Sequence, residues 1–346
     1  MNFDDSEIPT LIPTKVVGSI KINYKGVVCL VAAPLATFET PLWNSVKRGA
    51  LVSQKTTGID VRVMDDVMSR SVIVEAENLE NALICKNWIE DNLELIKNVV
   101  ETTSNFAKLR RITAENVGRL LYIRLETTTG NASGHNMVTN AADAVLDFVI
   151  ANCENVKYVS ISGNYCTDKK ASSVNGILGR GKRVSAEVIV PCGVCESILK
   201  TTPAKIIDLN NKKNLLGSIL AGSVRSANAH FANVVLAVYL ATGQDAANII
   251  EASQGITFAD FNGRDLYFSV NIPNMIVGTV GNGKNLDFAV NNLELMGCRA
   301  SDSGSAQRLA AVIGAAVLCS ELSLMAAQTN RGELTASHMK LERRVK

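Results

Sequence analysis

The sequence predicts an α+β protein: a large α/β domain with a small α/β sandwich inserted into it. Three observations carry this. Residues 72–160 alternate between strand-like and helix-like periodicity in a β-α-β-α-β order. The segments on either side are less regular, with β-branched apolar runs before the block and Ala-rich, proline-poor stretches after it. The length of 346 residues, 47% of them hydrophobic and 20% charged, supplies apolar mass for a large core and fits two domains.

In chain order, residues 1–71 hold short strand-like runs, of which 27–33 (VVCLVAA) is apolar and β-branched until Pro34 stops it. Within the block, 71–75 reads as strand, 79–103 as helix, 118–125 as strand, 138–153 as helix and 156–161 as strand. A stretch without periodicity follows at 162–170. Residues 184–190 are strand-like, and 215–252 predicts one or two buried helices around 228–245. Residues 255–283 return to strand character and end in a glycine cluster, 305–328 is a second buried helix, and 329–346 is polar and basic. The domain limits expected are therefore 1–71 with 162–346 for the large domain, its C-terminal flap at about 329–346, and 72–161 for the insertion.

Composition excludes several functions. A net charge of +2 without a basic-aromatic stripe gives no nucleic-acid partner. The acidic start MNFDDSEIPT lacks the apolar segment of a signal peptide, and the longest apolar stretch, 310–320, is too short to span a bilayer, so no membrane association is expected. Eight irregularly spaced cysteines point to a reducing, cytoplasmic setting rather than a disulfide framework. Cys192 and Cys195 have CxxC spacing, but no further ligand pattern accompanies them, so no metal is expected.

The chemistry is concentrated in Ser162-Gly163-Asn164-Tyr165-Cys166-Thr167-Asp168-Lys169-Lys170. On a loop, both lysines can converge on one anion; as a solvated pair they carry no function. Gly163 permits unusual backbone angles and Asp168 can hold one lysine in place. An ammonium beside a reacting carbonyl stabilises the oxyanion that develops on hydride attack. Asp245 follows an apolar helix and is either an exposed carboxylate or the partner of a lysine whose proton it helps retain. His338, one of three histidines, stands next to Ser337 and near Lys340, Arg343 and Arg344; it is a solvated bystander or a histidinium able to protonate a departing thiolate. Arg343 can pair with a phosphate. Glu39, just past an apolar strand, is either a surface glutamate or a proton donor of raised pKa. Two glycine-containing stretches, Gly278-Thr-Val-Gly-Asn-Gly283 and Gly130-Asn-Ala-Ser-Gly-His-Asn-Met137, could approach a dinucleotide, though neither is a GxGxxG turn. The second leads into a helix N-terminus, which favours phosphate.

Taken together, and in this order, these segments resemble the hydroxymethylglutaryl-CoA reductases over about residues 12–343. The most specific parts are SGNYCTDKK (162–170), GRGK (179–182), NKKNLLGS (211–218), NAHFANVV (228–235), ATGQDAAN (241–248), IVGTVGNGKNL (276–286), ELSLMAA (321–327) and SHM (337–339). The wording is closer to the class I enzymes, without the membrane anchor of the animal forms, which implies a free catalytic domain. The resemblance implies a large CoA- and substrate-binding domain with an inserted ferredoxin-like NADP-binding domain. It also implies two-step reduction of hydroxymethylglutaryl-CoA to mevalonate and free CoA. Lys169 would stabilise the oxyanion, Asp245 would hold the lysine network, His338 would protonate the CoA thiolate and Glu39 would donate a proton to the aldehyde. Arg70, Ser162, Asp168, Lys170, Lys213, His230 and Asn233 fall where the family binds the hydroxymethylglutaryl group. Asn131, Ala132, Ser133, Gly134, His135, Asn136, Met137, Val280, Gly281 and Arg343 fall where it binds the cofactor. A homodimer or homotetramer with active sites between subunits is implied, as is NADPH, with NADH as the second option.

Departures from the family pattern are local. GDAMGMNM has become GNASGHNM at 130–137, TTEGCL has become TFETPL at 37–42, the SxGG before NAH is Ser223-Val224-Arg225-Ser226-Ala227, and GTVGGG has become GTVGNG. They bear on cofactor affinity and choice more than on hydride chemistry. Arg343 and Arg344 favour NADPH, because a 2′-phosphate calls for a guanidinium; Asn131 in place of the acid removes a repulsion if it lies near that phosphate. They also keep open two other readings: an NAD-dependent mevalonate-oxidising homologue, and a non-catalytic acyl-CoA-binding homologue.

Overall fold

The structure, a computed structural model, describes residues 10–299 and 303–342. Strands β1 (Thr14–Tyr24) and β2 (Val27–Ala36) form an antiparallel hairpin. Its two turn residues, Lys25 and Gly26, both have positive φ, the backbone that matches strand twist. Pro34 does not stop β2: it pairs opposite Val16, which an edge strand tolerates because no further ladder needs its missing N–H.

Helix α1 (Pro41–Gln54) follows, unread in the sequence. It starts on proline and buries Leu42, Val46, Gly49 and Ala50. Strand β3 (Ile59–Ala76) is the backbone of the whole molecule. Its first half pairs with β1 and with β7 (Gly181–Val190) in the large sheet. Its second half, from Met68, pairs with β5 (Leu120–Thr127) and β6 (Val156–Ser160) in the small one. Between these lie α2 (Leu79–Asp91), α3 (Leu93–Thr103), β4 (Leu109–Val117) and α4 (His135–Asn152). The predicted helix at 79–103 is two helices, broken at Asn92. Strand β4 was missed; it forms a hairpin with β5 around Gly118, which is turn rather than strand. The small unit thus has the β-α-β-β-α-β order of ferredoxin-like folds, with strands arranged β4-β5-β3-β6.

The chain then returns to the large unit through α5 (Ser173–Leu178), β7, α6 (Cys192–Val194), α7 (Pro203–Leu209), a π-helical stretch over Asn210–Gly217, α8 (Ser218–Leu220), β8 (Ser226–Ala227) and α9 (Phe231–Ala241). Helix α10 (Ile249–Ala252) precedes the hairpin of β9 (Gly255–Asn262) and β10 (Asp265–Met275), and α11 (Asp287–Leu295) follows it. The large sheet runs β2-β1-β3-β7-β10-β9-β8. Helix α12 (Ser305–Gln328) is long and apolar enough to cross a membrane by length and composition, yet 94% of its most apolar window is buried inside the protein. It packs against α1 where Gly49 meets the Cys319 carbonyl, a contact that leaves no room for a Cβ. The tail expected as a polar flap forms helix α13 over Glu333–Glu342, anchored by a 2.7 Å ion pair between Arg48 and Glu333.

Two cores result. The larger joins the big sheet to α1, α9 and α12. The smaller lies within 72–153 and joins β3, β4 and β5 to α2, α3 and α4.

Candidate active site

The 162–170 loop rests on the small sheet. The Gly163 N–H donates to the Ser71 carbonyl at 2.7 Å, and a Cβ there would come within 2.8 Å of Ser71 Oγ. Close approach, not unusual torsion, is therefore what requires this glycine. The left-handed residues of the loop are Asn164, Thr167 and Lys169, with φ of 56°, 43° and 55°. Two buried side chains hold these turns. Arg124 on β5 donates to the Tyr165 and Gly179 carbonyls, to Asn175 Oδ1 and to Glu126 at 2.9–3.1 Å. Asn175 Nδ2 donates to the Cys166 and Thr167 carbonyls at 3.0 and 3.2 Å.

On this support sits a cluster of charge. Lys169 Nζ lies 2.8 Å from Asp245 Oδ2. The other carboxylate oxygen of Asp245 accepts the Ala247 N–H at 3.0 Å, which fixes its orientation. Arg180, almost fully buried, bridges Asp168 at 3.0 Å and the buried Glu251 at 3.2 Å. Glu251 also accepts the Lys169 backbone N–H. Hydrogen bonding to Asp245 holds the Lys169 ammonium pKa above its ordinary value, against the opposing effect of burial. Burial would raise the Asp245 pKa, but the bonds from Lys169 and Ala247 bring it below the usual carboxylate value. Burial raises Glu251. Asp168 does not hold a lysine with its carboxylate: that group serves Arg180, and only its carbonyl accepts from Lys170 Nζ, at 3.1 Å. Arg70 Nε donates to the Ile161 carbonyl and Ser162 N–H to Ser160 Oγ, both at the base of this loop.

A second cluster gathers Glu39, His230 and Asn233, with Lys213 close enough to the supporting Glu321 to feel its charge. Asn233 Nδ2 donates to Glu39 Oε2 at 2.8 Å, and His230 Nε2 lies 3.1 Å from Ser320 Oγ. The buried Glu321 accepts the backbone N–H groups of Ala229 and His230 and the Thr257 hydroxyl. Burial lowers the pKa of Lys213, which the charge of Glu321 opposes. Glu39, His230 and Asn233 line a pocket of about 390 Å³, together with Arg48, Gln328 and Glu333.

The two clusters lie toward opposite ends of α9. His230 precedes its first residue and Asn233 lies in its first turn, whereas Asp245 comes after its last. Eleven helical residues span roughly 16 Å. Among the described residues no hydrogen bond or ion pair joins one cluster to the other.

The two glycine-containing stretches meet beside the first cluster. Ala132 bridges Val280, the Thr279 N–H donates to the Asn131 carbonyl at 2.8 Å, and a Cβ on Gly278 would come within 2.4 Å of the Ser133 nitrogen. Gln244 pairs its side-chain amide with both backbone groups of Gly278 at 3.0 Å, tying this surface to the Asp245 segment. Gly134, with φ of 95°, precedes α4, whose first turn contains His135, Asn136 and Met137. That helix end has no side-chain cap and no acid in its first turn, so its N–H groups fit a phosphate. Val280 is half exposed, and the space beside Gly281 is open. The Asn131 side chain accepts the Gly304 and Ala306 N–H groups at 3.2 and 3.3 Å, which gives it a capping role at the start of α12. The His338 side chain and Arg343 lie outside the described residues.

The sequence reading missed Arg124, Arg180, Glu251 and Glu321. Each is a charge in an apolar or tightly packed segment, and that is itself a signal: such a group persists only when paired.

Comparison with known proteins places this architecture. The family model for hydroxymethylglutaryl-coenzyme A reductase matches residues 10–343. A protein of that name from Methanothermobacter thermautotrophicus is 40% identical over 333 residues, covering 96% of this chain and 83% of its own. Another, from Methanocaldococcus jannaschii, is 41% identical over 337 residues, covering 96% and 82%. Among solved structures, the class II reductase of Streptococcus pneumoniae, bound to NADPH in open conformations, shares the fold with a TM-score of 0.75. That match is at 17% identity, over 94% of this chain and 88% of that one. On these matches the chain belongs to the hydroxymethylglutaryl-CoA reductase family.

Proposed function

We propose that this chain reduces hydroxymethylglutaryl-CoA to mevalonate and free CoA in two hydride steps, with NADPH as the donor. The observation that carries this reading is the Lys169–Asp245 pair at 2.8 Å on the family's substrate loop. The carboxylate keeps the ammonium charged, and an ammonium is what the oxyanion formed at the thioester and aldehyde carbonyls requires. Glu39, oriented by Asn233, supplies a proton to the aldehyde oxygen, and His338 supplies one to the departing CoA thiolate. Arg70, Ser162, Asp168, Lys170, Lys213 and His230 bind the hydroxymethylglutaryl group. NADPH, when bound, would supply the hydride; residues 131–137, Val280, Gly281 and Arg343 would hold it, and the uncapped N-terminus of α4 suits its phosphates.

The same reading divides the chain into a substrate domain, 1–71 with 162–346, and an inserted nucleotide domain, 72–161, which the two large cores support. It places Glu39 and Lys169 of one active site on different subunits of a homodimer or tetramer, supported by the separation of the two clusters along α9. A reducing, cytoplasmic location agrees with eight free cysteines.

The test follows the absorbance of reduced nicotinamide with hydroxymethylglutaryl-CoA and either NADPH or NADH. The reading expects about two NADPH oxidised per thioester, and a kcat lowered on the order of 100-fold or more in Lys169→Ala and in Asp245→Ala. Near-normal turnover in both variants refutes it. A strong preference for NADH would instead favour an enzyme running toward mevalonate oxidation.

A further inference from the structure

His135 stands where the family motif has its second methionine, so the cofactor role proposed for its segment does not itself call for an imidazole there. It is the first residue of α4, the helix whose N-terminus faces the phosphates in the reading above. Its imidazole does not face solvent alone. Nε2 lies 3.8 Å from Asp168 Oδ1, on the loop that carries Lys169, and makes no hydrogen bond among the described residues. The charged groups around the ring are Arg180, Asp168, Asp245 and Lys169. Burial, followed by the Arg180 charge, pushes its pKa down to about 4 against the pull of the two carboxylates. The ring is therefore neutral at physiological pH and has one N–H to donate.

We infer that His135 is a positioning residue that links the cofactor helix to the catalytic loop by donating Nε2–H to Asp168 when the cofactor is bound. The inference rests on the functional reading above. A gap of 3.8 Å is about 1 Å longer than a hydrogen bond, so a small shift of the first turn of α4 closes it. Asp168 already holds Arg180, which in turn holds Glu251, and Glu251 accepts the Lys169 backbone N–H. A bond at Asp168 thus stiffens the chain of contacts that sets the Lys169 backbone. A neutral imidazole does this without adding a second cation beside Arg180. A methionine has no N–H to give.

Two measurements on the full-length protein test the inference. The first is a long-range proton–nitrogen NMR spectrum of the histidine side chains, which number three, with His135→Gln identifying the signal. We expect His135 to stay neutral down to about pH 5 and to become the Nε2–H tautomer on adding NADPH. Titration near its ordinary value, or no response to NADPH, overturns the inference. The second is steady-state kinetics. His135→Met should lower kcat about 10-fold at saturating NADPH while KM for NADPH changes by less than about 3-fold, and His135→Gln, which keeps a neutral donor, should restore most of the rate. A purely cofactor-binding role would raise KM and leave kcat unchanged, and a purely structural one would lower thermal stability alone; either result overturns it. A wild-type protein whose His135 answers to NADPH but which reduces no thioester refutes the functional reading and leaves this link standing.

Discussion

At the scale of single residues, the Lys169–Asp245 pair decides the charge of the site. Both partners are partly exposed, so the pair contributes little to overall stability; its importance lies in the protonation state. The direction follows from linkage. Asp245 is depressed below 3.8, so its contribution is full above that value and lost as pH falls through the folded pKa. Lys169 is raised above 10.5, so its contribution is full below that value and lost as pH rises through the folded pKa. Removing the carboxylate charge leaves burial, which lowers the lysine, as the largest remaining influence, opposed by the smaller effects of the Asp168 and Glu251 charges. In Asp245→Asn the alkaline limb of the kcat profile should therefore move to lower pH, and a pH–rate series on both proteins checks it. An unmoved limb would mean that Lys169 is not the group titrating there. Much of this pair was legible in the sequence, since an acid after an apolar helix invites a cation. Its geometry was not, because residues 169 and 245 come together only through the contacts of α10 and the 162–170 loop.

At the scale of elements, the 162–170 loop owes its shape to a residue outside it. Arg124 is buried in β5 and gives four hydrogen-bond partners to the Tyr165 turn, α5 and Glu126. Arg124→Met keeps much of the volume and removes every donor. It leaves two backbone carbonyls, the Asn175 amide oxygen and a carboxylate without this partner, though Glu126 keeps Arg111 at 2.8 Å. The expected cost is about 3–5 kcal/mol, read from chemical denaturation, with a loss of kcat because the loop is no longer held. Stability within 1 kcal/mol of wild type, roughly the size of a single ordinary hydrogen bond, would show that the loop shapes itself. Elements were legible where periodicity was clean, as in α4, α12 and β6. Helix α1 was lost among mixed polar residues, and β4 hid beside the predicted strand at 118–125 because a tight two-residue turn separates it from β5. The break at Asn92 was invisible because both flanking helices keep the same apolar spacing.

At the scale of the whole molecule, the proposed reaction assigns part of its chemistry to each end of α9. If the sites form between subunits, Glu39→Ala and Lys169→Ala chains are each inactive alone but complement one another. Random pairing in a dimer makes half of the molecules hybrid, each with one intact site, so an equimolar refolded mixture should regain about a quarter of wild-type activity. No recovery, with hybrid formation verified by mass, would place both residues in a single-chain site.

The sequence by itself determined the α+β class, the inserted unit and the buried helix at 305–328, and it singled out the segments proposed to form the site. These depend on local periodicity and on side-chain chemistry carried in short motifs, which a linear reading preserves. Tertiary structure alone decided which charges meet. Asp168 turned out to serve Arg180 rather than a lysine, Asn131 to cap α12, and Gly163 to be required for close packing rather than for its torsion angles. Each of these outcomes depends on contacts between positions far apart in the chain. Coulombic and steric forces act through space, over a few ångströms, and sequence separation does not record that distance.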